Sequence, residues 1–323
     1  MDPRLITALI VVVGVPATVI GYVFVVEQIL RLVPSRLQAS VRPWLWLLPA
    51  LLFLFVFLVY PTLNTFVLSF QDKFSKAFVG LNNYNYFFTS PDTLISLRNN
   101  IIWLVVLTFL AVGGGMIIAI LVDRVRFESV AKSVVFVPLA ISFVGASIIW
   151  RFVYDYQPPG HAQTGLLNAG VTALGFQPIT WIQDAPLNTI ALIVVAAWTW
   201  TGFCMVILSA ALKGISAELL EAARVDGATE VQVFRKITFP LLLPTVAVVA
   251  TTMIITALKA FDIVYVMTSG NYDTNVIANQ MYKELFTNSQ PGRASAIAVI
   301  LLLLIIPVMV INIRRFREQE AIR

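Results

Sequence analysis

Few side chains in this sequence are equipped for chemistry, and the spacing of those few restricts what they do. The chain has one histidine, His161, and one cysteine, Cys204. No cluster of carboxylates, thiols and imidazoles at metal-ligand spacing accompanies them, so no catalytic residue and no metal site is read. His161 follows Pro158-Pro159-Gly160 and reads as a surface loop residue. Cys204 lies inside an apolar run with no disulfide partner and reads as packing. The groups that remain suit binding. Trp198, Thr199, Trp200, Thr201 and Phe203 fall near the middle of a long uncharged stretch, although tryptophan favours membrane interfaces. Trp200 and Phe203, three apart, share a helical face, and Trp198 is turned away from Trp200. Two readings fit these residues: rings that line a cavity and stack on the apolar faces of sugars, or rings that pack helix against helix. Lys259 and Asp262, at i and i+3, are spaced to pair on one helical face, which lowers the cost of charge near hydrocarbon. Lys259 also lies roughly 23 Å beyond Pro244 at 1.5 Å per residue, so snorkelling to the outer surface is the competing reading.

Those residues need elements to hold them, and composition says which. Of 323 residues 59% are hydrophobic and 12% charged, with mean hydropathy +0.87. A soluble domain of that make-up would aggregate, so the chain reads as an all-α integral membrane protein. Seven stretches are long enough to cross a hydrocarbon core of roughly 30 Å as helices. They are Leu5 to Val26, Trp44 to Phe70, Ile101 to Val122, Ser133 to Trp150, Ala185 to Leu212, Ile237 to Leu258 and Ala294 to Ile313. The first lacks a small-residue cleavage site and reads as a retained span, not a signal peptide. A net charge of +5 would suit nucleic acid, but its distribution points to the membrane. Fourteen Lys and Arg fall on the side of Arg31, Arg124, Arg224 and Arg323, and seven on the side of Arg4, Lys73 and Arg151. By the positive-inside rule, the loop around Arg224 and the C-terminus are cytoplasmic and the N-terminus is outside.

One long charged segment lies between apolar ones: Ser216 to Pro244, SAELLEAARVDGATEVQVFRKITFPLLLP. It reads as two short helices, one from about Ala217 to Asp226 closed by Gly227, the other opened by Thr229 with Gln232 at capping-box spacing. Pro240 and Pro244 then lead into the next apolar run. Leu219, Leu220, Ala222 and Ala223 make an apolar patch on the first helix, and such a patch needs a partner. The segment resembles the EAA loop of ABC importer permeases, whose pattern is Glu-Ala-Ala, three residues, Gly, nine residues, Ile, one residue, an apolar residue and Pro. Here it reads Glu221, Ala222, Ala223, Gly227, Ile237, Phe239 and Pro240, with Phe239 where Leu is usual. Asp226-Gly227-Ala228 further resembles the carbohydrate branch.

Other stretches resemble that branch too. Gly80-Leu81-Asn82-Asn83-Tyr84 and Asn99-Asn100 are similar to its Gly-Leu-x-Asn-Tyr and Asn-Thr signatures, with Asn100 in place of Thr; on residue types alone they read as turns. Gly165, Leu166, Asn168, Leu174 and Gly175 match a further pattern in imperfect register. Phe261-Asp262-Ile263-Val264-Tyr265 resembles Phe-Asp-x-x-Tyr, and Tyr282 with Phe286 resembles Tyr-x-x-x-Phe. The resemblance implies a six-helix type I importer permease core over residues 44–315, with a coupling loop at 213–244. It leaves a peripheral N-terminal helix and basic linker at 1–43 and a basic tail at 316–323. It implies an inner-membrane sugar permease of the maltose or α-glucoside type, half of an alternating-access pathway. Its partners would be a second homologous permease, two ATPase subunits and an extracytoplasmic sugar-binding protein, in membrane lipid and without nucleic acid. No Gly-x4-Gly-Lys-Ser/Thr loop is present, so ATP and Mg belong to the ATPase subunits and this chain binds no cofactor. The resemblance assigns coupling to Glu221, Ala222, Ala223, Asp226 and Gly227, and supports a substrate path at Trp200, Phe203, Thr199, Lys259 and Asp262. An ion-coupled secondary transporter is the competing class, but the spans offer no carboxylate before Asp262.

Overall fold

The structure, a computed structural model, describes residues 3–123 and 125–321. Arg124 and Arg323 of the basic residues counted above lie outside them. Among the described residues all regular elements are helical, and strand-like pairing is limited to one isolated antiparallel bridge between Gln71 and Phe78. The chain divides into two compact units between Asn64 and Thr65.

The first unit contains α1 (Pro3–Leu32) and α2 (Ser35–Leu54), followed by a π turn at Phe55–Val59 and the start of α3 (Tyr60–Leu68). Pro34 forces the break between α1 and α2, and Gln38 Nε2 donates to Leu30 O and Val33 O at 3.0 Å, satisfying carbonyls the end of α1 leaves open. Tyr22 donates to Leu45 O, and Arg42 pairs with Glu27 at 3.9 Å. The described side chains of α1 are apolar and exposed all round over most of its length, the pattern of a helix facing lipid.

The second unit is built on two long helices, α5 (Pro91–Val122) and α9 (Leu187–Lys213). They pack closely because Gly115 has no side chain: a Cβ there would lie 2.6 Å from Cys204 Cβ and 2.8 Å from Met205 N. Between them in sequence come α6 (Glu128–Phe136), a 3-10 turn at Val137–Ala140, α7 (Phe143–Val153) and α8 (Leu166–Ala173), and ahead of α5 stands α4 (Asn82–Thr89). After α9 come α10 (Ala217–Val225), α11 (Glu230–Val233), a π turn at Phe234–Thr238 and α12 (Phe239–Leu258). The unit ends with α13 (Asp262–Thr268), α14 (Ile277–Tyr282), a π turn at Lys283–Thr287 and α15 (Pro291–Ala321).

Six helical stretches of the described chain are long and apolar enough to cross a membrane, or seven if a bent pair counts as one. That pair corrects the straight fourth span expected over Ser133 to Trp150. The stretches Glu128–Ala140 and Phe143–Val153 meet at 101°. Pro138 sits at the start of the 3-10 turn, Ile141 is extended, and Ser142 caps α7 by accepting from Gly145 N at 3.1 Å. The opposite correction applies after Thr229. Its helix is not short: α11, the π turn and α12 run on as one stretch, Glu230–Leu258, with Pro240 and Pro244 inside it. The helix then stops at Leu258, Phe261 takes φ −146°, and α13 starts at Asp262. Lys259 and Asp262 therefore do not share a helical face, and among the described residues they form no ion pair.

Candidate functional site

A cavity of about 380 Å³ opens where α5, α7, α9 and the break after α12 converge. From α5 come Trp103 and Leu107, one turn apart; from α9, Ala196 and Trp200, with the same spacing; from the start of α7, Phe143. The break contributes Lys259, Ala260, Phe261 and Asp262. Trp200 stands 13 residues from either end of α9, roughly 20 Å at 1.5 Å per residue, so the cavity is at mid-helix depth.

Its rings form a packed set. Phe143 lies 6.3 Å from Trp200 and Phe203 lies 5.5 Å from Trp200, edge to face. Phe203 thus supports Trp200 from behind and is not in the wall. Thr199 is buried, its hydroxyl donating to Ala196 O at 2.7 Å, and it does not face the cavity either. Trp198 packs on Trp150 at 5.8 Å. Of the five residues read as a path, Trp200, Lys259 and Asp262 come together at one cavity and Phe203 and Thr199 do not. The indole nitrogens of Trp103 and Trp200 are both buried and without a hydrogen-bond acceptor. Leaving such a donor unsatisfied costs about 1–3 kcal/mol. The cavity lining offers aromatic rings, an ammonium and a carboxylate, which is equipment for holding a ligand. No group of three or more His, Cys, Asp or Glu positioned for a metal ion occurs among the described residues.

At the other end of α9, the chain turns at Gly214 and forms α10, in which no residue is buried. Leu219 is 46% exposed and Val225 87%, apolar side chains that the described residues do not cover. Glu221, Ala222, Asp226 and Gly227 are exposed and Ala223 is half-buried. Gly227 takes φ +81°, and no atom lies within 4 Å of where its Cβ would be, so backbone conformation and not crowding calls for glycine. Its N–H donates to Arg224 O and that of Ala228 to Ala223 O, both at 3.0 Å, closing α10. Arg224 pairs with Glu230 at 2.8 Å across the turn. Thr229 and Gln232 form the expected capping box.

Several functional positions were missed in the sequence. Trp103 and Phe143 line the cavity beside Phe261, and the depth signal that singled out Trp200 did not reach Trp103, which stands only third in its expected span, Ile101 to Val122. Asn99 and Asn100 are helical, not a turn. Asn99 Nδ2 donates to Asp273 O at 2.6 Å and Asn275 O at 2.8 Å. Asn100 Nδ2 donates to Ala257 O at 3.2 Å while its Oδ1 accepts from Ile277 N at 2.7 Å, so it closes the end of α12. Asn83 reaches Ser69 O and Gln71 O, and the turn expected of that stretch is made by Gly80, at φ +58°, and Leu81, closed by Asn82 N donating to Val79 O at 3.3 Å. Phe261 stacks on Tyr265, which meets Tyr282, which meets Phe286, joining the two aromatic signatures in one chain of rings.

A family model described as a binding-protein-dependent transport system inner membrane component matches residues 4–314. Over 279 residues the sequence is 57% identical to the osmoprotective compounds uptake permease protein GgtC of Synechocystis sp., across 86% of this chain and 100% of that protein. Over 286 residues it is 47% identical to the alpha-glucoside transport system permease protein AglF of Rhizobium meliloti, across 88% of this chain and 85% of that one. Among solved structures, a chain of a bacterial ABC transporter involved in the import of the acidic polysaccharide alginate superposes with TM-score 0.74 at 20% identity, over 87% of this chain and 98% of that one. That likeness is one of fold.

Proposed function

This chain belongs to the family of binding-protein-dependent transport system inner membrane components, and from that we propose that it forms half of an alternating-access pathway importing a neutral sugar, a disaccharide or α-glucoside. The observation that carries the sugar reading is the cavity at the middle of α9. It is lined by Trp200, Phe143 and Phe261 together with the ammonium-bearing Lys259 and the carboxylate-bearing Asp262. A sugar has apolar C–H faces for the rings and hydroxyls for the charged groups. The AglF relative, named for alpha-glucoside transport, supports the same class. Lys259 and Asp262, both exposed, line the same cavity and are suited to hydrogen-bond sugar hydroxyls.

Residues 44–315 act as the permease core and 1–43 as an added peripheral helix with a basic linker. The loop 213–244 is cytoplasmic, with Glu221, Ala222, Ala223, Asp226 and Gly227 docking in a cleft of one of two ATPase subunits that bind ATP and Mg. A second, homologous permease completes the pathway, and an extracytoplasmic binding protein delivers the sugar. The test is uptake of maltose, trehalose and sucrose by cells carrying Trp200→Ala, normalised to assembled transporter. Relative rates among the sugars are expected to change by tenfold or more while complex abundance falls less. Unchanged relative rates with a large loss of complex would assign Trp200 to packing and remove it from the path.

A further inference from the structure

A second cavity, of about 420 Å³, lies at the opposite end of the unit from the Glu221 loop and shares no lining residue with the first. It falls in the size range of small-molecule sites, roughly 300–1,000 Å³. Asp92, in the first turn of α5, lies on its wall; Trp103 of the central cavity is 11 residues further along the same helix, roughly 17 Å deeper. Lining it with Asp92 are Asp273 and Tyr272 from the loop after α13, Gln280 from α14, Lys283 from the following π turn and Asn288 just after it.

The wall is built and held. In the loop, Ser269, Gly270, Tyr272 and Asp273 all take φ between 54° and 74°. Three of these are not glycine, a conformation that persists only when its surroundings impose it. Asn188 Nδ2 donates to Tyr272 O at 2.7 Å, and Asn99 clasps Asp273 O and Asn275 O. Behind the amides sits Glu284, fully buried. Its Oε1 accepts from Tyr86 at 2.8 Å, Gln280 at 3.0 Å and Asn288 at 3.1 Å, which fixes two wall amides, while its Oε2 has no partner. In contrast to these fixed groups, the ammonium of Lys283 and the carboxylates of Asp92 and Asp273 make no hydrogen bond or ion pair of 4 Å or less among the described residues. Burial pushes the Lys283 ammonium below its ordinary value, with Asp92 opposing. A partly desolvated cation in one cavity with two exposed carboxylates, on a wall whose amides are already locked, is a preformed polar site open to solvent.

We propose that this cavity is a second binding site, for a small neutral polyhydroxylated molecule such as one sugar unit, gripped by Asp92, Asp273 and Lys283. A hydroxyl both donates and accepts, so one molecule with several of them satisfies the carboxylates and the ammonium together. Two carboxylates to one ammonium disfavour an anion, and Tyr272 alone is no aromatic cage for a quaternary ammonium. That the polyol is a sugar rests on the transport reading above; the site would then hold sugar at the outer mouth, ahead of the central cavity.

The test is hydrogen–deuterium exchange on the purified transporter with all its subunits, titrated with maltose, trehalose or glycine betaine. The sugars are expected to slow exchange over residues 269–288 with a midpoint unaffected by Trp200→Ala. Lys283→Met is expected to raise that midpoint at least tenfold. Asp273→Asn, which keeps a residue tolerant of positive φ and removes the charge, is expected to raise it at least threefold. Protection of 255–263 with no change at 269–288 overturns the outer site and leaves the transport reading standing, as does protection at 269–288 that neither variant weakens. Protection by glycine betaine and not by the sugars overturns the polyol assignment. Sugars that protect neither region and do not stimulate ATP hydrolysis sink the sugar reading, and the outer site with it.

Discussion

Trp103 and Trp200 each hold a buried N–H with nothing to accept it, and a single substitution separates a binding donor from a packing accident. Trp103→Phe keeps a ring and removes the orphaned donor. Relief of the donor and the void left by the smaller ring oppose each other at this fully buried position, so the transporter without sugar is expected to keep its stability to within about 1 kcal/mol while its affinity for the imported sugar falls. A drop in both, seen in a melting curve and a binding isotherm on the same sample, would place Trp103 in the packing and not in the site. Gly115 carries the reverse expectation. Gly115→Val drives a side chain into Cys204 and the backbone at Met205, so α5 and α9 must separate. Overpacking of this kind costs about 1–3 kcal/mol or more, and the amount of assembled complex extracted from membranes should fall with no change in sugar preference. The glycine run at 113–115 was visible in the sequence, but only the facing residues show which of the three bears the contact: Gly113 has nothing within 4 Å and Gly114 meets Thr201 at 3.6 Å.

At the scale of elements, α10 is an exposed helix with a fixed exit, and its two determinants act differently. Gly227→Leu strains a left-handed position, and Glu221→Lys reverses a charge without touching the backbone. Both are expected to reduce sugar-stimulated ATP hydrolysis at least tenfold while membrane insertion is kept; normal stimulation in both variants would end the coupling assignment. Asn100→Ala is a test inside the fold. It leaves Ile277 N and the last carbonyls of α12 without their partner, a loss of about 1–3 kcal/mol that should appear as faster amide exchange at 257–262. These elements also mark how far sequence reading reaches. The capping box at Thr229, the close of α10 at Gly227 and the long apolar helices were legible because each is decided by neighbours within one or two turns. The break after α12 was legible only in part: the expected span ended at Leu258, as α12 does, but the expected pairing of Lys259 with Asp262 carried a helix past it, because no glycine or proline marks Lys259 and the groups that close α12 come from Asn100, distant in sequence. The cavity was half legible for the same reason: its α9 wall follows from periodicity, whereas Trp103 and Phe143 reach it only through tertiary packing.

For the molecule as a whole, orientation rests on the excess of basic residues on one side. With Cys204 replaced by Ala, single cysteines at positions 161 and 224 are expected to react oppositely with a membrane-impermeant thiol reagent in intact cells, 161 labelling and 224 not. Labelling at 224 alone would invert the topology and remove the cytoplasmic docking of α10. The bend between α6 and α7 bears on the assembly in another way. It lies against the middle of α9, where a Cβ on Gly202 would fall 2.4 Å from Val135 O, and its extended residue Ile141 interrupts the helical ladder there. Peptide groups freed at that depth are tolerated only inside protein or beside water. Lipid is thereby shut out at Ile141 by the backbone itself, whatever its side chain, so the bend marks a stretch of this chain's surface that protein or water must cover.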